Sequence, residues 1–130
     1  MAHRSRLGTI VIDCRTEDLD EAAHFWAEAL GRPAARLSDP QDSQYRVLRG
    51  ADDEVAVLVQ AVTHPSRVHL DIETDDVESE VRRLEALGAY RVMQVKRWWV
   101  LQSPTGQRFC VVPPQRPDFV QHANVWDVGD

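Results

Sequence analysis

The chain has 130 residues, 43% hydrophobic and 28% charged, a balance that suits one soluble domain with room for two small halves. Its formal net charge of −6 excludes a surface that tracks phosphates, so no nucleic-acid partner is expected. No stretch approaches the ~20 apolar residues of a membrane helix, and the two cysteines lack the spacing of a disulfide scaffold or zinc knuckle.

The apolar run after the basic N-terminal residues is too short for a signal core and is broken by Asp13, so we expect a cytoplasmic protein. Residues 9–15 alternate Ile10, Ile12 and Cys14 against Thr9, Val11 and Asp13, a period of two that predicts a strand. Asp18 is the expected N-cap of the helix that follows, with Glu21 as capping-box partner. Leu19, Ala22, Ala23, Trp26 and Leu30 recur at helical spacing, Gly31 suits a left-handed C-cap and Pro33 blocks continuation. Phe25 and Trp26 read as core. Residues 34–37, 45–49 and 54–62 predict three strands, separated by turns rich in Asp, Pro and Gly.

A short connector, residues 63–66, is the expected boundary between halves. Beyond it, residues 67–73 alternate Val68, Leu70 and Ile72 against Arg67, His69 and Asp71. Asp75 or Asp76 caps a second helix with Val77, Val81, Leu84 and Leu87 on one face, ended by Gly88. Strands are expected at residues 90–95, 99–102 and 108–112, the last two joined by a Ser103-Pro104-Thr105-Gly106 turn. Residues 114–130 show no period. With Phe119 and Trp126 they read as an arm that packs on its own body or on a partner. Arg82, Arg83, Arg91 and Arg97 are interleaved with acids and read as solvated faces.

The two halves are copies. IVIDCRTED, starting at Ile10, aligns without gaps on VHLDIETDD, starting at Val68, with Asp13 over Asp71, Thr16 over Thr74 and Asp18 over Asp76. Each copy is a β-α-β-β-β module, spanning residues 7–62 and 67–113. The expected class is α+β, with paired curved mixed sheets around one cavity and the helices outside. Each helix must cover the apolar face of its strands. By elimination Thr9, Val11, Asp13, Arg67, His69 and Asp71 share the other face, with Ala56, Leu58, Gln60, Arg108 and Cys110. Their mixed polar and apolar character suits a small organic ligand. Trp98 and Trp99 lie on opposite faces, so only one reaches the cavity, and Trp99 is the stacking candidate. His69 and Asp71 are candidates for proton transfer, and two carboxylates facing one pocket, Asp13 and Asp71, would raise one pKa. Cys14 and Cys110 fall on opposite faces and should not bond.

Two such modules, a strand histidine ahead of an acidic turn, Leu-Gly helix ends and a PTGQRFCVV final hairpin resemble the vicinal oxygen chelate superfamily. The nearest likeness is its glyoxalase-like group, which includes drug-resistance binding proteins and ring-cleaving dioxygenases. The resemblance covers roughly residues 7–113. It implies four cavity positions that hold a metal in metal-dependent members, and these fall on Val11, Gln60, His69 and Cys110. Valine cannot coordinate, Gln60 is neutral and Cys110 would ligate only as thiolate. The expectation is therefore a pocket for a small organic molecule without a cofactor, a divalent metal being the alternative. A second reading is a glyoxalase-type lyase or isomerase using His69 and Asp71. A third is a dimeric interaction module, and the resemblance implies a homodimer.

Overall fold

The computed structural model describes residues 2–127. Two compact units divide the chain: Thr9–His69, and Leu70–Asp130 together with Met1–Gly8. The class is α+β, and the expected module order is present. The first module runs β1 (Ala2–Arg15), α1 (Leu19–Leu30), β2 (Ala34–Arg36), β3 (Tyr45–Leu48) and β4 (Ala56–Val62). The second runs β5 (Arg67–Thr74), α2 (Val77–Ala86), β6 (Tyr90–Val95), β7 (Trp98–Gln102) and β8 (Arg108–Val112). A short helix α3 (Phe119–His122) and a strand β9 (Asn124–Asp127) follow.

In the Thr9–His69 unit, β4 runs parallel to β1 and antiparallel to β3, which pairs antiparallel with β2. The core gathers Ile12, Leu48, Val57 and Val59 under Leu19, Ala22, Trp26 and Ala27 of α1, with Cys14 beside them. Each buried Val or Leu contributes roughly 2 kcal/mol. The α1 face of β1 is thus the predicted one. Phe25, however, is 61% exposed, with Trp26 packed edge-on against it.

In the other unit, β8 runs parallel to β5 and antiparallel to β7, which pairs antiparallel with β6. Val81 and Leu84 of α2 close a core with Leu101 and Val111, joined by Ile72, Val77, Trp99 and Phe109. Three expected core residues lie outside it: Val68, Leu70 and Leu87 are 60%, 44% and 67% exposed. The helix packs on β6, β7 and β8, so of the apolar β5 residues only Ile72 joins this core. Leu87 is the C-cap, already past the helical face.

The repeat extends to single hydrogen bonds. Asp18 Oδ1 accepts from Glu21 N at 3.1 Å, and Asp76 Oδ1 accepts from Ser79 N at 3.1 Å. Thr16 Oγ1 accepts from Asp18 N at 2.9 Å, and Thr74 Oγ1 accepts from Asp76 N at 3.2 Å. The Asp18 N–H thus goes to Thr16 rather than to Glu21. Gly31, at φ 67°, is the left-handed C-cap of α1.

β1 starts at Ala2 rather than residue 9, because polar partners replace an apolar pattern. His3 and Ser5 are buried, and Arg4 O accepts from Thr74 Oγ1 at 2.7 Å. Glu80 of α2, fully buried, binds His3 Nε2 at 2.8 Å and both Nε and Nη2 of Arg83 at 2.8 Å. The expected arm packs on its own chain: β9 pairs antiparallel with β1 from Ala2↔Asp127 to Ser5↔Asn124. The Trp126 indole N–H donates to Ser5 Oγ at 2.8 Å under the Arg83 guanidinium, 3.9 Å from the ring centre. Arg6 joins Glu73 at 2.6 Å to Asp118 at 2.7 Å. Gly8 lets Glu73 pass, since a Cβ there would stand 2.9 Å from its Oε2.

Candidate functional site

The Thr9–His69 unit holds a histidine–carboxylate pair. β1 sets Asp13 in register with Gln60 of β4, and β3 sets Tyr45 on the other side of Gln60, on the face away from α1. Gln60 Nε2 donates to the Tyr45 hydroxyl at 3.1 Å. The Asp13 side chain is 1% exposed, and its Oδ2 accepts from His69 Nδ1 at 2.7 Å. Arg67 Nε lies 3.7 Å from the same oxygen. Among the described residues Asp13 Oδ1 has no hydrogen-bond partner. A carboxylate only accepts, so Nδ1 of the imidazole is the donor in this bond. Sequence parity places Asp13 and His69 on one face, and the hydrogen bond between them adds Asp13 to the His69 and Asp71 candidates. Val11, in register with Leu58, is 1% exposed and offers no donor.

In the other unit, the ladder face turned away from α2 carries three rows. The register places Arg108, Gln102 and Tyr90 in one row, and Asp71, Cys110, Val100 and Met93 in the next. Trp98 and Val95 follow in the third. A bulge between Arg91 and Met93 turns Met93 onto this face, where plain alternation would have put it with Arg91. Trp99 is a correction: it packs in the α2 core against Leu101 and Val111, with the Arg91 guanidinium 4.9 Å from its ring centre. Trp98 takes the parity turned away from α2 instead. The signal was present in the pair of tryptophans, but choosing between them needed the strand's register. Met93 gave no such signal, since only the bulge exposes it here. Cys14 and Cys110 are free thiols, as expected, and burial pushes the Cys14 thiol up.

Two open grooves flank α1, of about 370 and 390 Å³. The first runs between α1 and β2 over Ala23, Ala27 and Ala34, and the second past Cys14, Phe25 and Trp26. Neither is lined by a residue expected to hold ligand.

The four family positions do not fit a resident metal. Val11 has no lone pair, and the amide of Gln60 is engaged with Tyr45. His69, Asp71 and Cys110 each offer one ligand-capable atom. A hydrogen bond from His69 Nδ1 to a carboxylate is one that metal-ligating histidines share, so the misfit rests on Val11 and Gln60.

Among curated proteins none matches this chain. Its fold is similar to that of a hypothetical protein from Bacillus halodurans C-125, with a TM-score of 0.60 at 12% identity over 86% of this chain and 96% of that one. A Streptomyces coelicolor methylmalonyl-CoA epimerase in complex with 2-nitronate-propionyl-CoA gives a TM-score of 0.59 at 16% identity over 85% of this chain and 98% of that one. A Mycobacterium tuberculosis methylmalonyl-CoA epimerase gives 0.57 at 17% identity over 89% and 91% of the two chains. At such identities the likeness speaks for the fold alone. No described helix is long and apolar enough to cross a membrane. Residues 9–112 match the family model described as a glyoxalase-like domain, and the chain therefore belongs to the glyoxalase-like family of the vicinal oxygen chelate superfamily.

Proposed function

We propose that this glyoxalase-like chain binds a small organic molecule on the face of β5–β8–β7–β6 turned away from α2, without a resident metal. One observation carries the reading: α2 covers the opposite face, while this one keeps Tyr90 52% and Met93 54% exposed beside polar Arg108, Gln102 and Asp71. Apolar surface with a few placed polar groups is what ligand sites are made of.

The His69–Asp13 pair favours a second reading, a lyase or isomerase that moves a proton. Asp13 would orient the ring and stabilise the imidazolium formed when Nε2 takes a proton, a role worth about 10²–10⁴ in rate. Alternation puts His69 on the same face of β5 as Asp71. Epimerisation, named for two of the solved structures of similar fold, is removal and return of a proton. Fold likeness does not carry that reaction over; the histidine pair is what supports it.

A thermal-shift screen of anionic, neutral and cationic metabolites tests the first reading, run with wild type, Asp71→Asn, Trp98→Leu and His69→Ala. Hits should weaken at least tenfold in one or more variants and stay unchanged on adding a chelator. Hits that survive all three variants would place the ligand elsewhere, and hits abolished by chelator would restore a metal. For the second reading, hits bearing a hydrogen next to a carbonyl should exchange it for deuterium in heavy water. Exchange should vanish in His69→Ala and slow in Asp13→Asn; equal exchange by His69→Ala removes the proton-transfer role.

A further inference from the structure

We propose that the occupant of the face turned away from α2 is an amphipathic carboxylate, its head held by Arg108 and its apolar body lying over Val100, Met93 and Trp98. The inference rests on the binding reading above and names the ligand class of the same site.

Charge supplies the first argument. In a chain of net charge −6, half of the eight arginines of this unit are shown paired with acids. Arg6, Arg82, Arg83 and Arg91 each pair with a carboxylate. Arg108 does not: its Nε donates to Gln102 Oε1 at 2.8 Å, and among the described residues no acid lies within ion-pair distance of it. That hydrogen bond ties down one side of the guanidinium. The two Nη groups then form an exposed fork with the geometry that a carboxylate accepts in a bidentate manner.

The order of the rows supplies the second. The head row is polar throughout, with Arg108, Gln102 and Tyr90. The next row turns apolar toward the β6 edge through Cys110, Val100 and Met93, and its only acid, Asp71, stands at the opposite end, on β5. A head at Arg108 therefore sends the body over the apolar end of this row, toward Met93. Beyond lie Trp98 and Val95, both half-buried. Rows two residues apart along a strand are separated by ~6.6 Å, so Val100 and Met93 lie about 7 Å from the head and Trp98 about 13 Å. A body of roughly five to ten carbons spans that distance.

Titrating butanoate, hexanoate, octanoate and 4-phenylbutanoate, each beside its primary amide, tests this. In wild type each longer carboxylate should bind at least tenfold more tightly than its amide, and affinity should rise from butanoate to octanoate. Arg108→Gln should erase the preference for carboxylate and leave amide affinity within about threefold, which also shows that the variant is folded. Arg108→Lys, which keeps the charge but not the fork, should fall between. Amides that match carboxylates in wild type, or a preference that persists in Arg108→Gln, would overturn the proposal. Neutral hits that depend on Asp71 or Trp98 but show no charge preference would overturn the carboxylate class alone and leave the binding reading standing. If neither series binds, the proposal fails, and the wider metabolite screen then decides the binding reading separately.

Discussion

Glu80 is a carboxylate with no exposed surface on the buried side of an otherwise ordinary surface helix. Burial alone would push its carboxyl up. Hydrogen bonds from Arg83, His3 and Ser5 outweigh that and hold it below the usual carboxylate range. The folded chain therefore binds this proton less readily than the unfolded chain does. The stability it contributes is full above the unfolded value near 4.5 and is lost as pH falls through the lower folded value. Glu80→Gln should lower stability at pH 7 by about 3 kcal/mol, because Arg83 and His3 lose the charge they face. It should also flatten the fall in melting temperature below pH 4.5, as followed by circular dichroism. A wild-type slope retained in the variant would mean that other carboxylates carry the acid sensitivity. Periodicity could not foresee this residue: at its position in the helix a glutamate reads as solvated, and beside Arg83 its partner His3 lies 77 residues away in β1. The same limit governs His69. Alternation puts it on the face of Asp13, but only the folded chain brings the two side chains into hydrogen-bond contact. Trp98 and Trp99 show how narrow the margin is, since one residue of register exchanges the faces of both.

Elements whose ends are set by local chemistry were legible. Both helix N-caps rest on Asp with a Thr two residues earlier, and the turn from Ser103 to Gly106 closes with Gly106 N donating to Ser103 O at 3.0 Å. The first half of β1 and the C-terminal arm were not legible, for one reason. They hold each other through polar contacts, which leave no hydrophobic period: Trp126 on Ser5 and Asp118 on Arg6, while Gln115 N ties the arm to Glu73 of β5 at 2.9 Å. Phe119, 4% exposed, is the arm's apolar anchor. An interaction module would lose a partner when the arm is removed, but this arm lies on its own chain. Truncation after Pro114 should therefore destabilise the chain itself by about 3–5 kcal/mol, from lost burial of Phe119 and Trp126 and from leaving Arg6 with one acid fewer. Melting should fall by more than ~8 °C for a chain this size. Mass in solution, measured in parallel, separates the two cases. An unchanged melting curve with a halved mass would restore the interaction reading.

Across the whole molecule, the internal repeat made the architecture readable, and the divergence of the two copies made the site only partly so. The self-alignment sets Val11 over His69 and Asp13 over Asp71. Within the Thr9–His69 unit these positions have different environments: Val11 is 1% exposed in a packed strand, while the His69 side chain keeps 14% and is held by Asp13. The first copy has thus turned its family donor position into packing, and its aspartate supports the histidine of the second. Restoring the lost donor tests this directly. Val11→His must bury an imidazole where Leu58 of β4 already stands alongside, so overpacking and an unsatisfied polar ring should cost about 2–4 kcal/mol in denaturant titration. It should also gain no zinc affinity by calorimetry, because Gln60 remains neutral and Asp13 remains engaged with His69. His69→Val, the reciprocal change, should destabilise as well, here by stranding the Asp13 carboxylate without its donor. If Val11→His instead folds as stably as wild type and binds zinc tightly, position 11 still opens onto a ligand site, and the asymmetry between the copies lies in their side chains alone and not in their packing.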